Sequence, residues 1–312
     1  MTSDDPGAHN HRPASRPPDS STDTTRKKHT MSMKPMRKAA AVLITAALGL
    51  TALSGCVAGS DSGSSTGDSS AGGTVNIGIK YDQPGLGMKD GSSFKGFDVD
   101  VANYVAKQLG YDKVNFVETP SAQRETMIQS GQVSMIFATY SITDERKQKV
   151  SFAGPYFVAG QDLLVQNSNT DITGPDSLNG KKLCSVTGST SAKKIQDTYA
   201  SKVDLQEYDT YSKCVAALSA GTIDAVTTDD IILAGFASQP QYKGKLKVVG
   251  KPFTTEKYGV GIKKGDTALA TKINTAIQKM IDDGAWEKAL KDNVPEFSYN
   301  KQTNPPKPTE GA

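Results

Sequence analysis

Ser130-Gly131-Gln132-Val133-Ser134-Met135-Ile136 and Ala220-Gly221-Thr222-Ile223-Asp224-Ala225-Val226 are two versions of one pattern. Each reads as a helix end, a glycine turn and a short apolar strand. Each strand then enters a polar turn, Thr139-Tyr140-Ser141 in the first and Thr227-Thr228-Asp229 in the second. The echo predicts two similar α/β lobes whose polar strand ends face one cleft, where open α/β sheets bind their ligands.

Strand and helix patterns alternate around both versions, which predicts mostly parallel sheets. The first series holds the strand Val75–Ile79, a loop over 80–91, a helix over 98–109 closed by Gly110, the strand Val114–Glu118 and a helix over 121–129 with Ser121 as N-cap. The strand 133–138 ends it. The second series runs through strand 182–186, the turn Thr187-Gly188-Ser189-Thr190-Ser191 and helix 192–199. Strand 204–208, helix 211–218, strand 225–228 and helix 230–238 follow. The extended segments 163–166 and 247–249 flank this series and read as two crossover strands between the lobes. Residues 74–163 with 253–294 then form lobe one, completed by strand 258–262 and helix 268–283, and residues 164–252 form lobe two. The Pro/Lys-rich tail 295–312 reads as disordered.

The N-terminal quarter reads as export and anchoring. Residues 1–30 are polar and Pro-rich and are expected to be disordered. Lys34, Arg37 and Lys38 precede an apolar run over 39–53, so residues 31–55 have the charged and hydrophobic regions of a signal peptide, and translation from Met1, Met31 or Met33 fits equally. The run is short for a membrane span. Leu53-Ser54-Gly55-Cys56 resembles a bacterial lipobox, with a lipid expected on the Cys56 thiol; an ordinary signal peptide with an incidental cysteine is the alternative. The Gly/Ser-rich stretch over 56–73 reads as a flexible tether. Lipid, tether and globule together imply a protein held at the outer face of a cell membrane.

Residues 1–55 hold 8 of the 36 Lys+Arg and 4 of the 33 Asp+Glu, which leaves 28 against 29 in the remainder. That balance argues against a nucleic-acid partner or a polybasic membrane surface. His9, His11 and His29 are the only histidines, and all precede Cys56. The exported chain therefore lacks a Ser-His-Asp triad, a Cys-His pair and any His-ligated metal, and neither a metal nor a cofactor is expected. Cys184 and Cys214 are expected to pair outside the cytoplasm; two buried free thiols are the alternative.

The site is read from Ala138-Thr139-Tyr140-Ser141-Ile142-Thr143-Asp144-Glu145-Arg146. A strand entering a hydroxyl-rich turn and a helix start, with Thr143 as N-cap, exposes backbone N–H groups. Arg146 adds a two-pronged cation, so the stretch suits a small carboxylate. Beyond Cys56 the only arginines are Arg124 and Arg146; every other basic residue is lysine. Arginine is favoured where paired hydrogen bonds to a carboxylate matter. Ordinary surface or structural ion pairs remain the alternative.

Gly96-Phe97-Asp98-Val99-Asp100-Val101, with Val105-Ala106 and Leu109, resembles the signature of the family 3 extracellular solute-binding proteins. Ser141-Ile142-Thr143-Asp144-Glu145-Arg146 resembles that family's ligand motif, and Asp224 to Asp229 its second-lobe strand. The likeness covers about residues 74–292. Within the family the chain is most similar to glutamate-binding lipoproteins of ABC importers, through Lys80-Tyr81-Asp82-Gln83-Pro84-Gly85-Leu86-Gly87, Ser121-Ala122-Gln123-Arg124-Glu125-Thr126 and the Cys184/Cys214 pair.

The resemblance implies a type II periplasmic-binding-protein-like fold and a ligand set. Arg146, helped by Ser141, is expected on the ligand α-carboxylate, joined by Thr190 when the lobes close. Asp229 is expected to accept the α-ammonium, with the Ala138 carbonyl or the Thr139 hydroxyl beside it. Arg124 is expected at the side-chain carboxylate, Lys80 to favour an acidic ligand, and Tyr81 to cover the ligand's stem. For Lys80 a solvated strand-end charge, and for Asp229 a helix N-cap, are the structural alternatives. The function implied is capture of an acidic amino acid, glutamate foremost, by a lipid-anchored monomer that delivers it to an ABC transporter permease. A binder of glutamine or another polar amino acid is the first rival. An enzyme on the same fold, a dehydratase or lyase, is the second, with Glu118 and Glu256 as its only candidate acids.

Overall fold

The computed structural model describes residues 72–199 and 203–311. The leader, the signal peptide and Cys56 lie outside the described residues, and so does all but the end of the tether.

Lobe one opens with β1 (Thr74–Ile79), a small hairpin sheet of β2 (Asp82–Gln83), β3 (Gly87–Asp90) and β4 (Ser93–Lys95), and α1 (Phe97–Gln108). Next come β5 (Lys113–Glu118), α2 (Arg124–Gln129), β6 (Met135–Ile136), α3 (Asp144–Lys149) and β7 (Ser151–Ala159). Lobe two holds β8 (Gln161–Gln166), β9 (Lys182–Val186), α4 (Thr190–Lys194), β10 (Asp204–Tyr208), α5 (Tyr211–Ser219), β11 (Ala225–Asp229), α6 (Asp230–Ala237) and β12 (Leu246–Val248). The chain then returns to lobe one for β13 (Glu256–Ile262), α7 (Thr267–Asp282) and α8 (Ala285–Asn293).

The two main sheets have the orders β5-β1-β6-β13-β7 and β10-β9-β11-β8-β12. The pattern that repeats in the sequence repeats in space. β6 and β11 are both central, each parallel to its neighbour β1 or β9 and antiparallel to the strand on its other side. Those antiparallel strands, β13 and β8, are the first laid down after each crossing of the chain. The carboxyl ends of β1, β6, β9 and β11 carry the polar turns, and these turns meet between the lobes.

The segments read as crossovers are strands of the second sheet. Residues 161–166 pair with β11 and with β12, so the lobe boundary lies at Gly160 rather than after Leu163. The crossings themselves are tied together by the Phe253 N–H, which donates to the Gln161 carbonyl at 3.0 Å, and the Asp230 N–H at the start of α6 donates to the Gly160 carbonyl at 2.8 Å.

β7, the hairpin and α8 escape the sequence reading. β7 contains Pro155, which argues against a central strand; β7 is an edge strand, where proline is tolerated. In α8, Trp286 is buried and meets Phe97 edge-on at 5.6 Å, anchoring the largest core cluster.

The tail is a second correction. Residues 295–311, expected to be disordered, lie along lobe one. Asn304 is buried and pairs with the β7 backbone on both sides, accepting from the Val158 N–H at 2.8 Å and donating to its carbonyl at 2.7 Å. The Glu310 N–H donates to the Gly154 carbonyl at 2.8 Å, and its carboxylate pairs with Lys147 at 2.7 Å. The tail thus covers an exposed sheet edge.

Cys184 in β9 and Cys214 in α5 are disulfide-bonded, with Cα atoms 5.6 Å apart. Closing a 30-residue separation contributes about 3–4 kcal/mol in the chain-entropy model. Among the described residues, no helix is long and apolar enough to cross a membrane and no acid, His or Cys cluster suits a metal.

Candidate functional site

A narrow polar chamber lies between the lobes. Lobe one supplies Ser121, Arg124, Thr139, Ser141 and Arg146; lobe two supplies Ser189, Thr190, Ser191, Tyr211, Thr228, Asp229 and Ile232. Its cavity volume is about 20 Å³. A wider cavity of about 580 Å³ adjoins it and shares Ser121, Arg146, Ser189 and Thr190.

The turn after β6 is held from beneath. Thr139 sits at φ 46°, a conformation costly for a β-branched residue. Its N–H donates to Asp98 Oδ2 at 2.9 Å, and the Tyr156 hydroxyl donates to Asp98 Oδ1 at 2.8 Å. Asp98 belongs to the α1 signature and is fully buried; burial raises its pKa to about 6. Residues read as scaffold therefore fix the ligand-facing turn. Thr143 caps α3 as expected, its Oγ1 accepting from the Arg146 N–H at 3.2 Å.

Both arginines are buried, which removes the surface-charge alternative. Arg124 lies over the Tyr140 ring at 4.2 Å and Arg146 at 5.1 Å. Arg124 donates to the carbonyls of Ser121 (3.3 Å) and Ala138 (3.2 Å), and Arg146 to that of Ser141 (2.8 Å). Both also reach the Gly188 carbonyl of lobe two, at 3.5 Å and 3.1 Å. The nearest carboxylate to Arg146 is Glu125, at 3.6 Å. Burial, then repulsion from Arg146, lowers the Arg124 pKa to about 10, so it stays charged at neutral pH.

Asp229 faces these cations from the end of β11. It occupies the N-cap position of α6, but its side chain makes no capping bond, so capping does not account for it. Oδ2 accepts from the Tyr258 hydroxyl at 2.6 Å, while Oδ1 is buried without a hydrogen-bond partner. Burial, then repulsion from Glu256, pushes its pKa up to about 8. A buried carboxylate oxygen with no donor carries a free-energy cost that a cationic ligand group removes.

Three expected site residues stand elsewhere. Lys80 is buried rather than solvated, but it lies behind the wall, donating to Ser121 Oγ at 2.8 Å. Burial, then repulsion from Arg124, holds its pKa well below the usual lysine value. Tyr81 turns away: its hydroxyl donates to the Phe116 carbonyl at 2.8 Å and its ring packs on Phe94 at 5.1 Å. The Ala138 carbonyl is engaged by Arg124 and by Thr139 Oγ1 at 2.8 Å, so it has no share in the chamber. Tyr211, Ser121, Ser189, Ser191, Thr228 and Ile232 were not foreseen. Their common signal is position: Tyr211, Ser189, Ser191 and Ile232 lie in or at the edge of a helix's first turn beside the cleft, and Ser121 opens the short 3-10 turn over 121–123 that leads into α2.

A family model described as bacterial extracellular solute-binding proteins, family 3, matches residues 75–295. The glutamate-binding protein GluB of Corynebacterium glutamicum is 47% identical over 272 residues, covering 82% of this chain and 91% of its own. The ABC transporter glutamine-binding protein GlnH of Bacillus subtilis is 38% identical over 221 residues, 70% of this chain and 80% of its own. Among solved structures, an ancestral arginine-binding protein bound to glutamine superposes with a TM-score of 0.66 at 34% identity, covering 71% of this chain and 97% of its own.

Proposed function

The chain belongs to the bacterial extracellular solute-binding proteins of family 3, and from that premise we propose that it captures glutamate. The observation that carries the reading is the chamber's charge pattern. Two buried guanidiniums stand opposite one buried carboxylate whose Oδ1 has no partner. Glutamate carries the complement, two carboxylates and one ammonium.

Arg146, with Ser141 and the α4 start at Thr190, takes the α-carboxylate; bidentate charge-assisted bonds are the strong ones. Asp229 Oδ1 takes the ammonium, with the Thr139 hydroxyl alongside. Arg124 takes the side-chain carboxylate, and Lys80 behind the wall holds the Ser121 hydroxyl in place beside it. Micromolar affinity corresponds to about −8 kcal/mol, and charged hydrogen bonds of roughly 1.5–3 kcal/mol each supply much of it.

The chain performs no reaction in this reading. Lobe two's donors meet the ligand only when the lobes are closed, so binding favours closure. The closed monomer, tethered through a lipid on Cys56 at the outer face of the membrane, then delivers glutamate to an ABC permease. The name of the first relative supports glutamate as the ligand, and that of the second, an ABC transporter glutamine-binding protein, supports an ABC transporter as the partner.

Titration calorimetry with the twenty amino acids tests this, with glutamate expected to bind tightest; a best response from a basic or apolar amino acid overturns it. Glutamine is the second reading, favoured by the three carbonyls that already engage Arg124. Arg124→Met separates them. It lowers glutamate affinity at least ~10-fold and spares glutamine if Arg124 meets a carboxylate.

A further inference from the structure

The chamber explains how a ligand bridges the lobes, but one contact between them bypasses it. Asp82 in β2 of lobe one is half-buried and does not line the chamber. Its Oδ2 accepts from the Ser212 N–H of lobe two at 3.2 Å and from the Ser212 hydroxyl at 3.1 Å. Ser212 is the second residue of α5, so its N–H is among those a helix cannot satisfy internally. The natural cap, Thr210, makes no side-chain capping bond. Its hydroxyl lies 3.1 Å from that of Ser212.

We propose that Asp82 is the N-terminal cap of α5 supplied from the opposite lobe, a clasp formed only on closure that positions α5 for binding. Tyr211, the first residue of α5, lines the ligand chamber, so the turn that Asp82 fixes also presents a side chain to the ligand. Cys214, in the same turn, is anchored to β9 by the disulfide, which leaves the extreme N-terminus of the helix as the part a cap can order. Backbone contact beside the clasp fixes its register. A methyl group at Gly235 of α6 would lie 2.1 Å from the Pro84 carbonyl, so the lobes meet here main chain to main chain. The nearby Lys243–Glu296 pair, 2.7 Å apart, also spans the lobes, but both side chains are exposed and the pair contributes little.

Carboxylate and amide side chains cap helices comparably, and alanine does not. The inference rests on the binding reading, and the test separates the two. In the full chain, Asp82→Ala is expected to raise the glutamate Kd ~5–10-fold and leave the glutamate-to-glutamine ratio unchanged. Asp82→Asn, which keeps an acceptor, is expected to restore the Kd. Hydrogen exchange at the first turn of α5 is expected to quicken in liganded Asp82→Ala. Ser212→Ala probes the same clasp from lobe two, and its loss should not add to that of Asp82→Ala. Thermal melts without ligand establish that each variant folds. An unchanged Kd in Asp82→Ala overturns the clasp. So does an Asn variant as weak as Ala, which would make the effect one of charge on the neighbouring cations, and so does an altered ligand ratio. If the unmodified chain binds glutamine but not glutamate, the glutamate reading fails, and the same comparison made with glutamine still decides the clasp.

Discussion

Asp229 concentrates the chemistry of the site in one side chain. Burial, Glu256 and Asp230 favour its neutral form, while the Tyr258 hydroxyl and Arg146 favour the carboxylate; the balance puts its pKa at about 8. Between its ordinary value of 3.8 and about 8, the folded chain holds a proton that the unfolded chain has lost. That contribution to stability is complete below the lower value and is lost as pH rises through the upper one. A ligand ammonium needs the charged form. Glutamate binding near pH 7 should therefore release a proton, and affinity should strengthen as pH rises toward 8. Calorimetry in buffers of different ionisation enthalpy reads the proton directly. Asp229→Asn should abolish the release and weaken binding at least ~10-fold; release that persists in the variant would assign the proton to another group.

The elements meet at their ends. Gly188, in the turn between β9 and α4, sits at φ 79°, and its carbonyl receives both arginines. A Cβ there would lie 2.7 Å from the Cα and N of Ala122 in lobe one. Gly188→Ala should therefore keep the lobes from closing. Overpacking of this kind costs about 1–3 kcal/mol, so the glutamate Kd should rise by roughly tenfold or more, and small-angle scattering should show a more expanded liganded form. Unchanged affinity would mean that closure does not bring these two backbones together. The elements also mark where sequence reasoning runs out. Regular patterns were legible: α1, β5, α5, α6 and the matching strands β6 and β11 follow apolar periodicity and glycine turns. Placement across the sheets was not. That residues 161–166 pair with β11 rather than cross between lobes depends on partners distant in sequence. Tyr81 and Lys80 went astray for a related reason, because the strand end they share divides into a hairpin that turns one outward and the other beneath Ser121.

The described residues form two main sheets of matching order whose polar strand ends close on each other, braced on lobe one by the C-terminal segment. Composition suggested disorder for that segment because its Pro/Lys content offers little to bury; its order comes instead from hydrogen bonds to the β7 edge. Removing residues 300–312 should lower stability by about 2–4 kcal/mol, at about 1 kcal/mol per lost bond. Thermal unfolding reads this, and an unchanged melting temperature would deny the brace. Of the site, the arginines, Asp229, Thr139, Ser141 and Thr190 were legible as residue types at strand and helix ends, whereas Tyr211 was not, since nothing in α5 alone says which lobe it faces. The most direct test is a crystal structure of the full chain with glutamate. The account predicts Arg146 on the α-carboxylate, Arg124 on the side-chain carboxylate and Asp229 Oδ1 on the ammonium. A bound glutamate that touches neither guanidinium would contradict it.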